Sequence, residues 1–438
     1  MNSKVLPKGH KTLLNAWAFY DWANSVYSLT IVSAVFPIFY GSLFLKDELI
    51  TIFGYSIRST PLITYATAIG FLIVAITSPI LSGIADYIGN KKTFMKFFNY
   101  LGALSCIALF WFSKEHIYSS LIFYILALVG YWGSIVFYNS YLPDIAYLEQ
   151  QDRISAKGYS LGYIGSVLLL VVNLAMVMTA DSDAARIEAM KLSFIMVGIW
   201  WIIFSQFSYY YLPKGNTGNV LDRSVFFKGF RELNSVRKAL ASNLPLKRYL
   251  IAFFIYSMAV QTVMLVATYF GEQEIDWGSD SNKTMGLIVS ILIIQIVAVG
   301  GAMLTSRCSK RFGNIRTLIA LNAIWVAICI YAYFVETSIQ FYVTAGVVGL
   351  IMGGIQALSR STYSKYLPVT DDTTSYFSFY DVAEKIGIII GMGIYATVDL
   401  ITGSMRSAVI FLGIFFVFGI IGLLRVPKLK PILEEKRN

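Results

Sequence analysis

Asp21, Asn24, Ser25 and Ser28 recur at i, i+3, i+4 and i+7 inside an otherwise apolar run, so a helix there carries one polar stripe. A carboxylate at membrane depth costs about 3 kcal/mol unless it is paired, hydrated or protonated. The stripe is therefore expected to line a water-filled cavity or to meet a partner helix. Three roles are open to Asp21: binding a substrate amine, carrying a coupling proton, or hydrogen-bonding across a helix interface. A comparable stripe of Ser257, Gln261, Met264 and Thr268 lies in the second half, and Gln356, Ser359, Arg360 and Tyr363 form a third. Facing stripes imply a central cavity whose candidate residues are Asp21, Asn24, Ser25, Ser28, Gln261 and Gln356. Asp381, Glu384 and Lys385 open a later apolar run, with Asp381 and Lys385 as i, i+4 partners. They either offset that helix's dipole or, with Arg360, take part in a gate.

Other chemistries lack their residues. His10 and His116 lie outside or at the edge of the apolar runs, so a histidine proton relay is not expected. No phosphate-cradling Gly-x-x-x-x-Gly-Lys-Ser/Thr loop, zinc-protease helix or Gly-x-Ser-x-Gly elbow occurs. Cys106, Cys308 and Cys329 show neither disulfide nor metal spacing and read as packing thiols. An enzyme, a cofactor and a metal are all unexpected.

The elements that must position these groups are set by apolar length. With 57% hydrophobic and 14% charged residues and a mean hydropathy of +0.65, a 438-residue chain carries more apolar surface than a soluble core can hide. At ~20 residues per crossing, spans are expected near 13–44, 61–82, 94–113, 117–140, 157–179, 189–211, 249–271, 284–306, 315–335, 337–358, 376–401 and 404–425. The fold class is thus an all-α polytopic membrane protein of about twelve transmembrane helices. The first run has no small-residue cleavage site and reads as a span, not a signal peptide.

Twelve spans put both termini on one side, and by far the larger share of the 35 Lys and Arg falls in the connections of that side. The positive-inside rule then makes both termini cytoplasmic, with a bacterial inner membrane as the expected location. It also accounts for the net charge of +10 through contact with membrane lipid headgroups, so no nucleic-acid partner is expected.

The longest connection has an apolar helical period at Phe226, Phe230, Leu233 and Leu240, with Arg231, Arg237 and Lys238 between. It divides the chain into 1–212, a six-helix bundle, 213–248, a cytoplasmic linker with an amphipathic helix, and 249–438, a second six-helix bundle. The halves look related: Tyr141-Leu142-Pro143 recurs as Tyr366-Leu367-Pro368, and Ile88-Gly89-Asn90 recurs at nearly the same offset as Phe312-Gly313-Asn314.

The connection after the second span, Ser82-Gly83-Ile84-Ala85-Asp86-Tyr87-Ile88-Gly89-Asn90-Lys91-Lys92, resembles the Gly-x-x-x-Asp-x-x-Gly-x-Arg/Lys-Arg/Lys signature of the major facilitator superfamily. Asp86 can accept hydrogen bonds from a neighbouring helix N-terminus or pair with a cation, Gly89 allows a tight turn, and Lys91 and Lys92 are expected at lipid headgroups, contacts expected to hold one gate closed. The sequence departs from the signature at Ser82 and Tyr87, and its second copy has Lys310 where the aspartate would sit. Trp17-Ala18-Phe19-Tyr20-Asp21-Trp22-Ala23-Asn24-Ser25-Val26-Tyr27 is similar to the opening motif of the vacuole-effluxer family, as are Tyr141 to Ala146, Gly162 to Gly165, and Tyr256 with Val260-Gln261-Thr262. That resemblance implies an acidic residue just before Val260, where this chain has Met258 and Ala259. It further implies two six-helix bundles and secondary transport of a small-molecule substrate, amino-acid export among the options. Coupling to protons, uncoupled facilitation, and a non-transporting receptor or scaffold on the same fold stay open.

Overall fold

The structure, a computed structural model, describes residues 6–44, 48–52, 54–215 and 225–427. Among these, twelve helices are long and apolar enough to cross a membrane: Lys11–Leu43, Ser59–Ile88, Lys91–Trp111, Ile117–Ile145, Leu148–Met178, Asp183–Tyr211, Leu244–Glu274, Met285–Phe312, Asn314–Ala332, Ser338–Tyr366, Thr373–Thr402 and Met405–Leu424. They are spans 1 to 12 in that order. A linker helix, Val225–Ser242, lies between spans 6 and 7.

Several spans run beyond their apolar stretches. Span 2 continues to Ile88, span 5 begins at Leu148 and span 10 continues to Tyr366. The extensions carry Asp86, Asp152 and Arg360, which a count of apolar length trims away, although these side chains find partners inside the protein.

Span 1 is interrupted by a turn of wider π-helix at Ser28–Ala34 before resuming as Val35–Leu43. Pro37 offers no N–H to the preceding turn, and the Ser33 hydroxyl donates to the Ser28 carbonyl at 3.1 Å. Between spans 1 and 2 the chain forms a small antiparallel hairpin, β1 (Leu49–Ile52) and β2 (Tyr55–Arg58), pairing Leu49 with Arg58 and Ile52 with Tyr55. The all-α expectation omitted it. Its sequence signal is an alternation of Ile50, Ile52 and Ile57 around Gly54, and these isoleucines pack on the first half's core.

The first half packs around two large buried clusters and the second around one, drawn almost entirely from spans 1–6 and from spans 7–12 respectively. Phe194 and Trp201 are fully buried in the first, and Trp325 stacks on Phe416 at 5.3 Å in the second. Tyr163 of span 5 joins the second core, and Tyr159 of the same span packs against it.

One face gathers both ends of the described residues and the start of the linker. Lys8 Nζ donates to the Pro143 carbonyl at 2.6 Å, Tyr366 Oη to that of Pro427 at 2.9 Å, and Tyr141 Oη to that of Pro213 at 2.9 Å. This is the basal face.

The linker helix seats on the basal end of span 2 through a glycine pair, since a Cβ on Gly83 would lie 2.2 Å from the Gly229 carbonyl oxygen. Val236 is buried in the second core and Leu240 packs beside it, so the helix touches both halves. The expected apolar line holds at Leu240 and breaks at Phe230. Phe230 is exposed and Gly229 faces span 2, because only a residue without a side chain lets the backbones meet. The Phe226 side chain lies outside the described residues.

Candidate functional site

The polar stripe of span 1 meets glycines. A Cβ on Gly158 would fall 2.3 Å from Asp21 Oδ2, one on Gly162 2.4 Å from Ser25 Oγ, and one on Gly165 2.9 Å from the Trp22 carbonyl. Span 5 thus offers a bare backbone ridge at one-turn intervals, and span 1 presses its polar face into it. Asn24 is only 1% exposed. Of the two expectations for the stripe, Asp21 and Ser25 follow the second, meeting a partner helix and not an open cavity, while Ser28 is only half-buried.

Asp21 is held there by a residue of the opposite half. Arg360 Nη2, from span 10, lies 3.2 Å from Asp21 Oδ2, and Tyr138 Oη donates to the same oxygen at 2.8 Å. Arg360 also donates from Nε to Ser155 Oγ at 2.9 Å, from Nη1 to Asn139 Oδ1 at 3.2 Å, and from Nη2 to the Ser155 carbonyl at 3.0 Å. Its guanidinium carbon lies 4.7 Å from the Trp17 ring centre and 4.4 Å from that of Tyr159. Spans 1, 4 and 5 therefore build a socket for one side chain of span 10. Asp21 and Arg360, assigned by sequence to a cavity and a gate respectively, form one contact.

Closer to the basal face, a second tier crosses between the halves. Asp86 accepts from the Thr374 and Ser375 backbone amides at 3.2 and 2.6 Å, placing its charge on the positive end of span 11. Gly89, with φ +70°, closes span 2 just beyond it. Lys91 reaches the Asp144 carboxylate, the Ser140 carbonyl at 3.0 Å and Thr373 Oγ1 at 2.8 Å, and Lys92 donates to the Leu212 carbonyl at 2.7 Å. Against the expectation, neither lysine is directed to lipid headgroups: Lys91 finds its oxygens on both sides of the seam and Lys92 finds a carbonyl of its own half, so protein acceptors replace headgroup phosphates.

Asp152 was not singled out from the sequence. Its carboxylate accepts from Lys365 Nζ at 2.6 Å, Ser309 Oγ at 3.0 Å and Asn314 Nδ2 at 2.9 Å, tying span 5 to spans 8, 9 and 10. The available signal was Lys310. Where the second copy of the repeat lacks its aspartate, span 5 supplies one from across the seam.

A cleft between the halves is lined by Tyr159 of span 5, Phe253, Tyr256 and Gln261 of span 7, Gln356 of span 10, and Tyr380 and Glu384 of span 11. Of the six cavity candidates only Gln261 and Gln356 line it, joined by Glu384 from the gating group. Gln261 Nε2 donates to Glu384 Oε1 at 2.7 Å, so an acid from span 11 stands beside the Val-Gln-Thr stretch that lacks one of its own. Met258 instead packs on Gly387 and Gly391 of span 11. Lys385 is fully buried at 2.9 Å from both Asp381 and Glu384, with its ammonium 3.3 Å from the centre of the Trp132 ring of span 4. No cluster of metal-ligating residues occurs among the described residues.

A family model described as "Vacuole effluxer Atg22 like" matches residues 9–435. The MFS-type transporter YxiO of Bacillus subtilis is 32% identical, covering 94% of each chain. Autophagy-related protein 22 of Saccharomyces cerevisiae is 24% identical over 85% of this chain and 78% of its own. Among solved structures, the Escherichia coli fucose:proton symporter FucP superposes with a TM-score of 0.69 over 95% of this chain and 98% of its own at 16% identity. The human organic anion transporter MFSD10 (TETRAN) gives 0.69 over 95% and 100% at 10% identity, which bears on fold alone.

Proposed function

Since the chain belongs to the Atg22-like vacuole effluxer family of major facilitator transporters, we propose that it moves a small organic solute by alternating access and exchanges protons through Asp21 as it does so. It is a multi-pass membrane transporter and not an enzyme. In this reading residues 1–212 and 249–438 are the two moving bundles, and the basal face, rich in Lys and Arg, is the cytoplasmic one. The protein then sits in the cell membrane of a bacterium with both termini inside. For cargo, the family resemblance implies amino acids, moved outward.

The observation that carries the reading is the Asp21–Arg360 contact. It spans the two halves, it is buried, and its strength depends on one ionisable carboxylate. Protonating Asp21 removes the Coulombic attraction that holds Arg360 in its socket, and a buried pair broken on one side loses about 3–5 kcal/mol. That is enough to bias an equilibrium between a closed and an open basal seam. Asp86, Gly89, Lys91 and Lys92 form the outer tier of the same gate.

The test is flux in sealed proteoliposomes under an imposed pH gradient, with Asp21→Asn beside the wild type. Gradient-driven movement is expected to vanish while exchange without a gradient persists. Undiminished gradient-driven movement in Asp21→Asn would remove the coupling role.

A further inference from the structure

The transport reading leaves open which chemical class the cleft recognises, and its charges narrow the choice. The carboxylate on its wall is Glu384, with a side chain 16% exposed. Around it stand the rings of Tyr159, Phe253, Tyr256 and Tyr380. The Tyr256 hydroxyl is engaged with Ser359 Oγ at 2.6 Å, so this tyrosine offers the cleft its ring.

The neighbouring cations are already committed. Arg360 is spent on Asp21, Asn139 and Ser155 and is covered on its faces by aromatic rings. Lys385 is buried between two carboxylates and the Trp132 ring. Asp381 and Glu384 share that single ammonium, which leaves a surplus of one negative charge. Asp381 Oδ2 is also buried without a hydrogen-bond partner among the described residues. A surplus negative charge away from water is costly and is lowered by an added cation. Aromatic faces within reach of that cation strengthen its binding when water is excluded.

We propose that the cleft binds an organic monocation, with a protonated amine at Glu384 and an aromatic or large apolar body against the four rings. The inference rests on the reading of this cleft as the transport path. The carboxylate of a zwitterion would meet no uncommitted cation there and would add charge of the wrong sign. Specificity is for the ammonium, and a carboxylate on the same molecule weakens binding, so the cargo is an amine in place of the amino acids that the family resemblance implies.

Three ligands on one skeleton separate the possibilities: phenethylamine, phenylalanine and 3-phenylpropionate, titrated calorimetrically against the full chain in lipid nanodiscs near neutral pH. Phenethylamine is expected to bind at least roughly tenfold more tightly than phenylalanine, with 3-phenylpropionate weakest. Glu384→Gln should weaken phenethylamine by roughly tenfold or more, and Phe253→Leu should weaken it to a lesser degree with Glu384 intact. Phenylalanine or 3-phenylpropionate binding more tightly than the amine overturns the proposal, as does failure of all three to bind the wild type. So does unchanged amine affinity in folded Glu384→Gln; were that variant not to fold, the wild-type ranking and Phe253→Leu decide. Proteoliposome flux keeps the two readings apart. Amine binding without flux removes the transport reading alone, whereas flux of another solute with no amine binding removes this inference alone.

Discussion

The guanidinium of Arg360 and the carboxylate of Asp21, 339 positions apart in sequence, meet at 3.2 Å with side-chain exposures of 3% and 10%. Each is the other's reason for tolerating burial, because an unpaired charge at that depth is far more costly than the pair. Removing either partner should therefore destabilise the protein more than removing both. Thermal melts of detergent-solubilised Asp21→Asn, Arg360→Gln and the double variant test this. Each single variant is expected to lose about 3 kcal/mol or more and the double variant less than either single; a double variant as costly as the sum of the two would mean that they are not energetically coupled.

Asp86 holds the N-terminus of span 11 through the backbone amides of Thr374 and Ser375. Asp86→Ala should open the basal seam. Ser140, buried against Thr374 Oγ1 at 3.4 Å, makes a reporter when changed to cysteine in a background lacking Cys106, Cys308 and Cys329. Modification by a membrane-impermeant maleimide from the basal side is expected to accelerate several-fold in Asp86→Ala, and an unchanged rate would show that this contact does not hold the seam.

Gly158 leaves no room for even a methyl group beside Asp21. Gly158→Ala should push span 1 off span 5, lengthening the Asp21–Arg360 contact and costing about 1–3 kcal/mol. The same change at Gly393, beside which a Cβ would meet nothing within 4 Å, should be nearly silent. Equal melting shifts for the two would contradict the close fit.

Outside the spans, Glu232 of the linker helix is pushed above the ordinary glutamate range, by burial first and by the Asp372 carboxylate second. An acid whose folded value is raised binds its proton more tightly when the helix is docked, so docking is strongest at acidic pH and weakens as pH rises from that range. Hydrogen exchange of linker amides, corrected for intrinsic rates, should show protection falling with pH in the wild type. Glu232→Gln should flatten that dependence, and a slope that persists in the variant would assign it elsewhere.

The spans and their order were legible because apolar length is a property of single segments. So was the alternative that the stripe of span 1 meets a partner helix, since Asp21 and Ser25 share a face by spacing alone. Which partner it meets was not legible, because the answer lies in the missing side chains of Gly158 and Gly162, whose meaning depends on what packs against them. The pairing of Asp21 with Arg360, and of Asp152 with Lys365, joins residues whose local sequences carry no trace of each other. Lys91 and Lys92 show the reverse error: a basic pair beside a membrane has a ready lipid explanation, yet Asp144 and the Ser140 carbonyl claim the first and the Leu212 carbonyl the second.

The cleft is lopsided. Tyr159 comes from the first half, while Phe253, Tyr256, Gln261, Gln356, Tyr380 and Glu384 come from the second. On the proposed reading of the cleft as the cargo site, changes in spans 7 and 11, which supply most of its lining, would alter what is carried while the socket built by spans 1, 4 and 5 stays fixed. A chimera that grafts those two spans from a relative is the natural way to transplant cargo preference without rebuilding the lock.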